Sequence, residues 1–181
     1  MNNETNMCNP IRGNSRIFLR PPDLSDLEVL VKWENDLSFK VFTSYKQQYS
    51  KSEIELFIKN NEDIRANLQY RLMICKQKDK NVIGTIDLYE IDFAKGSAGV
   101  GILIANETDR KKGFALTSLK LIEQFSKDQL GLKRLTSEIN KENQPSLNLF
   151  KKAGFKRENK VNIAPIIETI TNDVYFYEKI L

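Results

Sequence analysis

The spacing of apolar residues changes several times along the chain, and each change marks an element. Arg16 to Arg20 (RIFLR) alternates with a period of two, which predicts a first strand, and Pro21 and Pro22 stop it. Asp23 to Asp26 has the signature of a helix start, with Asp23 as cap and acids in the first turn. Leu24, Leu27, Val31 and Trp33 give that helix an apolar side. Thr43 to Ser50 is polar and reads as a loop. Ser52 to about Ala66 reads as a second helix carrying Ile54, Phe57, Ile58 and Ile64 on one face. Tyr70 to Lys76 and Asn81 to Ile91 read as two strands of a hairpin turning at Lys78 to Asn81, and a third strand, Ser97 to Ile104, follows Lys95 and Gly96.

Strands and helices then alternate. Arg110 to about Leu130 predicts a long helix, with Phe114, Leu116, Leu119, Leu121, Ile122 and Phe125 apolar and Gly131 closing it. Leu132 to Ile139 is a strand. Asn143 to Ala153 is a shorter helix capped by Asn143, with Pro145 in its first turn and Gly154 at its end. Phe155 to about Asn162 and Val174 to Leu181 complete the set. The order β-α-α-β-β-β-α-β-α-β-β describes one mixed α+β domain over residues 16–181. Ahead of it, Met1 to Ser15 holds Asn2, Asn3, Asn6, Asn9 and Asn14 and little to bury, and reads as a flexible lead-in.

Composition narrows the chemistry. The 181 residues carry 28 Lys and Arg against 24 Asp and Glu, a net charge of +4. This balance suits an anionic ligand, but the basic residues are interleaved with acids, so nucleic acid is the least favoured partner. There is no histidine, which removes a Ser-His-Asp triad, a His-paired cysteine and a His-ligated zinc. Cys8 and Cys75 are far apart and form no CxxC pair, so neither a disulfide framework nor a cysteine metal site is expected, and a reducing cytoplasm is the expected location. The longest apolar run, around Val100 to Ala105, is too short to cross a bilayer, and the N-terminus lacks a secretory pattern.

Gly101 to Ala115 (GILIANETDRKKGFA) joins an apolar strand, a polar loop and a glycine at a helix start. The first amides of a helix have no internal partner and meet the positive end of its dipole, so such an end holds phosphate without a special side chain. Taken alone, one glycine with Lys111 and Lys112 describes an ordinary helix that begins with basic residues. Arg110 to Ala115, however, resembles the Q/R-x-x-G-x-G/A signature of the GNAT superfamily of acyl-CoA-dependent N-acyltransferases. Asn143 to Phe155 (NQPSLNLFKKAGF) resembles that family's second signature, N-x-x-S/A-x-x-L-Y/F-x-x-x-G-F. The likeness runs from Arg16 to Leu181 and is nearest in character to the ribosomal-protein N-terminal and spermidine acetyltransferases.

The resemblance implies a central, mostly antiparallel sheet in which two parallel strands, here Ser97–Ile104 and Leu132–Ile139, splay apart, with helices on both faces. It also implies that acetyl-CoA is the co-substrate and an amine the acceptor. Leu103, Ile104 and Ala105 are then expected to offer main-chain groups to the pantetheine arm, and Arg110, Lys111, Lys112, Gly113, Phe114 and Ala115 to cradle the pyrophosphate. Asn143 and Ser146 are expected beside the pantetheine and Phe150 beside the sulfur. Lys151 or Lys152 is either a phosphate contact or a solvated lysine. Dimers are frequent among such proteins.

Phe150 stands where many relatives carry a tyrosine that protonates the departing thiolate, so an acid role at this position is gone. The alternative this raises is a weak or inactive acyl-CoA-binding sensor. Spermidine-type relatives also carry an acid where this chain has Gly99. The candidate bases are Asp87, Glu90, Asp92, Glu34 or a water chain. Period-two counting puts Asp87 on the strand face opposite Ile86 and Leu88, facing a cleft or solvent. Glu34, beside Trp33, is a candidate for fixing a cationic substrate or is structural. Tyr45 and Tyr49 belong to the loop that caps the acceptor side in relatives.

Overall fold

The computed structural model describes residues 10–12, 16–41, 47–158 and 173–181. Its strands are β1 (Ile11–Arg12), β2 (Ile17–Arg20), β3 (Tyr70–Lys76), β4 (Val82–Asp92), β5 (Ser97–Ile104), β6 (Arg134–Asn140), β7 (Lys156–Glu158) and β8 (Val174–Ile180). Its helices are α1 (Leu27–Asn35), α2 (Lys51–Asn60), α3 (Ile64–Asn67), α4 (Phe114–Asp128) and α5 (Gln144–Lys152). The strands form one sheet in the order β1-β2-β3-β4-β5-β6-β8-β7. Every pairing is antiparallel except β5 with β6.

Side-chain alternation gives the sheet two apolar faces. Leu72, Ile74, Ile86, Leu88 and Val100 lie in one cluster with Phe114, Leu119, Ile122 and Phe125 of α4 and Leu147 and Phe150 of α5. Met73 and Cys75, one residue out of step, pack instead with Leu30 and Trp33 of α1 and Ile54 and Ile58 of α2. Each such buried side chain contributes about 1.5–3 kcal/mol over its exposed state.

That gap is the main feature of the fold. β5 and β6 pair only at Ser97, Ala98 and Gly99 against Arg134, Leu135 and Thr136. Beyond Gly99 no ladder joins them, although β5 runs on to Ile104 and β6 to Asn140. Their ends lead into α4 and α5, so both helices begin at the wide end of a V-shaped opening.

Several boundaries differ from the sequence reading. The sheet starts at Ile11–Arg12, paired with Phe18 and Leu19, because a two-residue strand leaves no alternation to detect. Asp23 does cap a helical turn, with Asp26 completing the capping box. Leu24 nevertheless lies outside the core at 54% exposure, and Leu30, one turn before Trp33, is buried in its place. The single helix read from Ser52 to Ala66 is two, α2 and α3. Asn61 breaks it by turning its side chain inward: its amide donates to the Arg71 carbonyl at 3.0 Å and its oxygen accepts the Arg71 N–H at 2.9 Å. Asp63 then caps the new turn. Cys8 and most of the lead-in lie outside the described residues, as do Tyr45 and residues 159–162 of the strand read from Phe155.

Candidate functional site

The direction of each main-chain group in the V follows from ladder alternation. The Ala105 N–H donates to the Ile83 carbonyl at 2.9 Å, within the register Thr85 with Leu103 and Gly84 with Ile104. Gly99, Gly101 and Leu103 therefore turn their main-chain groups toward β4, as Ala105 does its N–H, while Ile102 and Ile104 turn theirs into the gap. A Cβ on Gly84 would stand 1.9 Å from the Leu103 carbonyl oxygen, which agrees with that direction. The expectation for Leu103, Ile104 and Ala105 is corrected accordingly. Leu103 is committed to β4, Ala105 gives its N–H to β4 and its carbonyl to Arg110, and Ile102 joins Ile104 in facing the cleft. On the other arm, the Lys141 N–H to Asp173 and Leu181 N–H to Lys133 bonds set the β6–β8 ladder. They turn Thr136, Glu138 and Asn140 toward β5.

At the wide end, Arg110 to Gly113 form a loop before α4 rather than its first turn. Lys111 has φ of 60° and Gly113 φ of 84°, so two of four residues adopt the left-handed region that side chains disfavour. Among the described residues no side chain caps α4, and the first main-chain bond into it is Thr117 N–H to Gly113 C=O at 3.1 Å. Its leading amides thus face outward at the positive end of a 15-residue helix. Lys111 and Lys112 are exposed there. Arg110 folds back instead: Nε donates to Ile104 O at 3.1 Å and a terminal nitrogen to Ala105 O at 3.2 Å. Its side chain holds the loop to the end of β5. Asp109 is buried beneath the loop, with Lys76 at 2.8 Å and Lys112 at 3.8 Å. The hydrogen bond from Lys76 holds the Asp109 carboxyl below its ordinary range.

On the β6 side, the Asn143 oxygen accepts the Ser146 N–H at 3.2 Å and caps α5, with Ser146 half-buried beside it. Phe150 is 2% exposed and meets Phe155 edge to face, with ring centroids 4.9 Å apart. Lys151 and Lys152 are exposed.

The acids sort themselves by geometry. Arg71 lies on β3 directly opposite Asp87, and its guanidinium joins two carboxylates: Nε donates to Asp87 at 2.5 Å and a terminal nitrogen to Glu34 at 2.5 Å. The same guanidinium stacks over Phe57 at 5.0 Å. Asp87 is therefore no exposed strand acid; its side chain keeps 16% of its exposure. Burial pushes the Asp87 carboxyl up, against the pull of the Arg71 charge. For Arg71, burial works against the charge, and Asp87 and Glu34 outweigh it and keep the guanidinium protonated. Across the next ladder Asp87 is paired with Gly101, where the space a side chain would take is open apart from the edge of Tyr89. Glu90 is exposed, with φ of 49° in a β-bulge, and Asp92 accepts from the Lys95 amide at 2.9 Å as part of a turn. Trp33 is core, and Tyr49 is pinned to α1 by two 2.8 Å bonds between its main chain and the Asn35 side chain.

The acetyltransferase (GNAT) domain family matches residues 16–156, more than half of the chain. The protein belongs to the GNAT acetyltransferases. Spermidine N(1)-acetyltransferase of Vibrio cholerae is 28% identical over 145 residues, covering 80% of this chain and 82% of that one. The crystal structure of the Vibrio cholerae spermidine N-acetyltransferase in complex with CoA and spermine superposes with a TM-score of 0.76 at 26% identity, over 92% of this chain and 96% of that chain. A ribosomal-protein alpha-N-acetyltransferase in complex with coenzyme A shares the fold alone, with a TM-score of 0.77 at 17% identity over 95% and 97% of the two chains.

Within this GNAT chain, sequence reasoning passed over Ile102, Asp109 and Arg71. Ladder parity would have found Ile102 once the hairpin register was known. No local signal marks Asp109 or Arg71, since each is an ordinary charged residue until the fold buries it. The loop before α4 offers a direct test. A Cβ at Gly113 would touch nothing within 4 Å, so Gly113→Ala carries only the left-handed strain of about 1–2 kcal/mol. Relieving that strain would shift the loop and, with it, the leading amides of α4. We expect a melting temperature lower by a few degrees and acetyl-CoA binding weaker by about tenfold, read by scanning calorimetry and titration. Unchanged affinity would separate this loop from cofactor binding.

Proposed function

We propose that the protein transfers an acetyl group from acetyl-CoA to a primary amine, by direct attack within a ternary complex. The observation that carries this reading is the V between β5 and β6, with cleft-facing main chain at Ile102 and Ile104 and uncapped helix amides at its wide end. These groups suit the two halves of coenzyme A. The amides of α4, with Lys111 and Lys112, complement the pyrophosphate. Ile102 and Ile104 accept an extended tether as an added strand, and a β5 amide polarises the thioester carbonyl. Asn143 and Ser146 flank the tether from α5, and Phe150 gives the sulfur an apolar neighbour.

In the reaction the amine nitrogen forms its bond to the thioester carbon and the carbon–sulfur bond breaks. The proton leaving nitrogen passes to Asp87 through water, across the side-chain-free Gly101 position. The thiolate, an acceptable leaving group, takes its proton from water, since Phe150 has none to give. Glu34 and Asp87 carry two negative charges against the single positive charge of Arg71, which favours a cationic acceptor on this face; the spermidine and spermine of the relatives are of that class.

Phe150 supports one second reading, binding of acyl-CoA without turnover. A single experiment separates the two. Millimolar acetyl-CoA should raise the melting temperature, since a ligand far above its dissociation constant stabilises by a few kcal/mol. Polyamines, peptides or aminoglycosides should then release free thiol. Stabilisation without thiol release across the panel would favour the binding module, and no stabilisation would remove both.

A further inference from the structure

Tyr89, on β4, is paired across the ladder with Gly99. A Cβ on Gly99 would lie 2.2 Å from the Tyr89 ring, and one on Gly101 would lie 3.8 Å from it. The ring therefore crosses β5 over its two residues without side chains. Its hydroxyl is hydrogen-bonded to the main chain of Glu138, which β6 turns toward the cleft. Gly99 with Thr136 is the last rung joining β5 to β6, so this bond falls just past the rung, at the apex of the V. Gly99 is thus where an aromatic ring from the neighbouring strand fills the space a β5 side chain would need. Burial first, and then the charges of Glu138 and Glu90, push the phenol up to about 12.

A tether anchored at the α4 amides enters at the wide end and runs back along Ile104 and Ile102, so whatever it carries points toward Gly99. We infer that Tyr89 is the floor of the acyl pocket and restricts the donor to short acyl groups, acetyl in preference to chains of several carbons. This rests on the acyl-CoA reading above. The ring gives a small acyl group an aromatic surface, and its seat over Gly99 and Gly101 closes the space a longer chain would need.

The test needs no acceptor. In calorimetric titration of the full chain, the parent should bind acetyl-CoA more tightly than hexanoyl-CoA by about tenfold or more. Tyr89→Ala should bring that ratio close to one, chiefly by a gain in hexanoyl-CoA affinity. Tyr89→Phe, which keeps the ring, should leave the preference for acetyl-CoA in place. Should Tyr89→Ala lose cooperative unfolding, Tyr89→Leu carries the same comparison with a smaller opening. A parent without acyl-length preference, or an alanine or leucine variant that retains the parent ratio, overturns the assignment of Tyr89 and leaves the acetyl-CoA reading standing. Failure of the parent to bind either thioester overturns both.

Discussion

Asp87→Asn should lower kcat by about 10²–10⁴, the range for removal of a positioned base, and leave the dissociation constant of acetyl-CoA within about twofold, well under the tenfold that 1.4 kcal/mol represents. The expectation comes from position. Asp87 is paired directly with Gly101, where β5 carries no side chain and only the edge of Tyr89 comes near. It is also the acid whose carboxyl burial raises, and raising a carboxyl brings its basicity closer to neutral pH. With a raised pKa, the carboxylate form accumulates only above the ordinary aspartate range. The acid limb of the rate profile should therefore lie at higher pH than an exposed aspartate would give. In the asparagine variant that limb should disappear, because no group remains there to titrate. Isosteric asparagine still accepts the Arg71 N–H, so a fall in rate with the melting temperature nearly unchanged belongs to proton transfer. If the variant kept both its rate and its acid limb, Asp87 would be reduced to anchoring Arg71, and a water chain without a resident carboxylate would carry the proton.

How far the sequence speaks for this site depends on the range of the interactions involved. The strand Ser97–Ile104, the cap at Asn143 and the hairpin turn after Lys76 are set by neighbours a few residues away, so pattern and turn chemistry locate them. The anion-facing loop at Arg110–Gly113 is visible as a motif, yet its two left-handed residues, which move the helix start to Phe114, are not. Parity along β5 depends on which rungs of the β4 ladder are bonded, a relation between strands, and misassigning it placed Leu103 and Ala105 in the cleft where Ile102 belongs. Arg71 lies furthest from view. Its partners Glu34 and Asp87 come from a helix and a strand on either side of it in sequence, 37 and 16 residues away, and no local spacing links them. Both acids are nonetheless readable as candidates. What the fold adds is that one cation joins them, so neither acts independently of the other.

That shared cation makes Arg71→Met the substitution with the largest expected effect on stability. Methionine keeps an unbranched stem while removing the guanidinium and its stack on Phe57, so two partly buried carboxylates lose their common partner. Breaking a buried ion pair from one side costs roughly 3–5 kcal/mol, a large share of the 5–15 kcal/mol that holds an average domain together. The cost should depend on pH in a definite direction. Burial already raises the Asp87 carboxyl in the folded state, and removing the opposing Arg71 charge raises it further. A carboxyl whose folded pKa lies above its unfolded value, about 3.9 for aspartate, leaves stability intact below the unfolded value and costs stability as pH rises through the folded one. Urea unfolding should therefore show parent and variant closest near pH 4 and furthest apart near pH 8. Adding Asp87→Asn to Arg71→Met should recover part of the loss at pH 8 and almost none at pH 4, since only the ionised carboxylate needs the arginine. An equal loss at both pH values would assign the effect to the lost stack on Phe57. The Glu34–Arg71–Asp87 group would then be a structural contact, and the proton acceptor for catalysis would have to be sought elsewhere in the cleft.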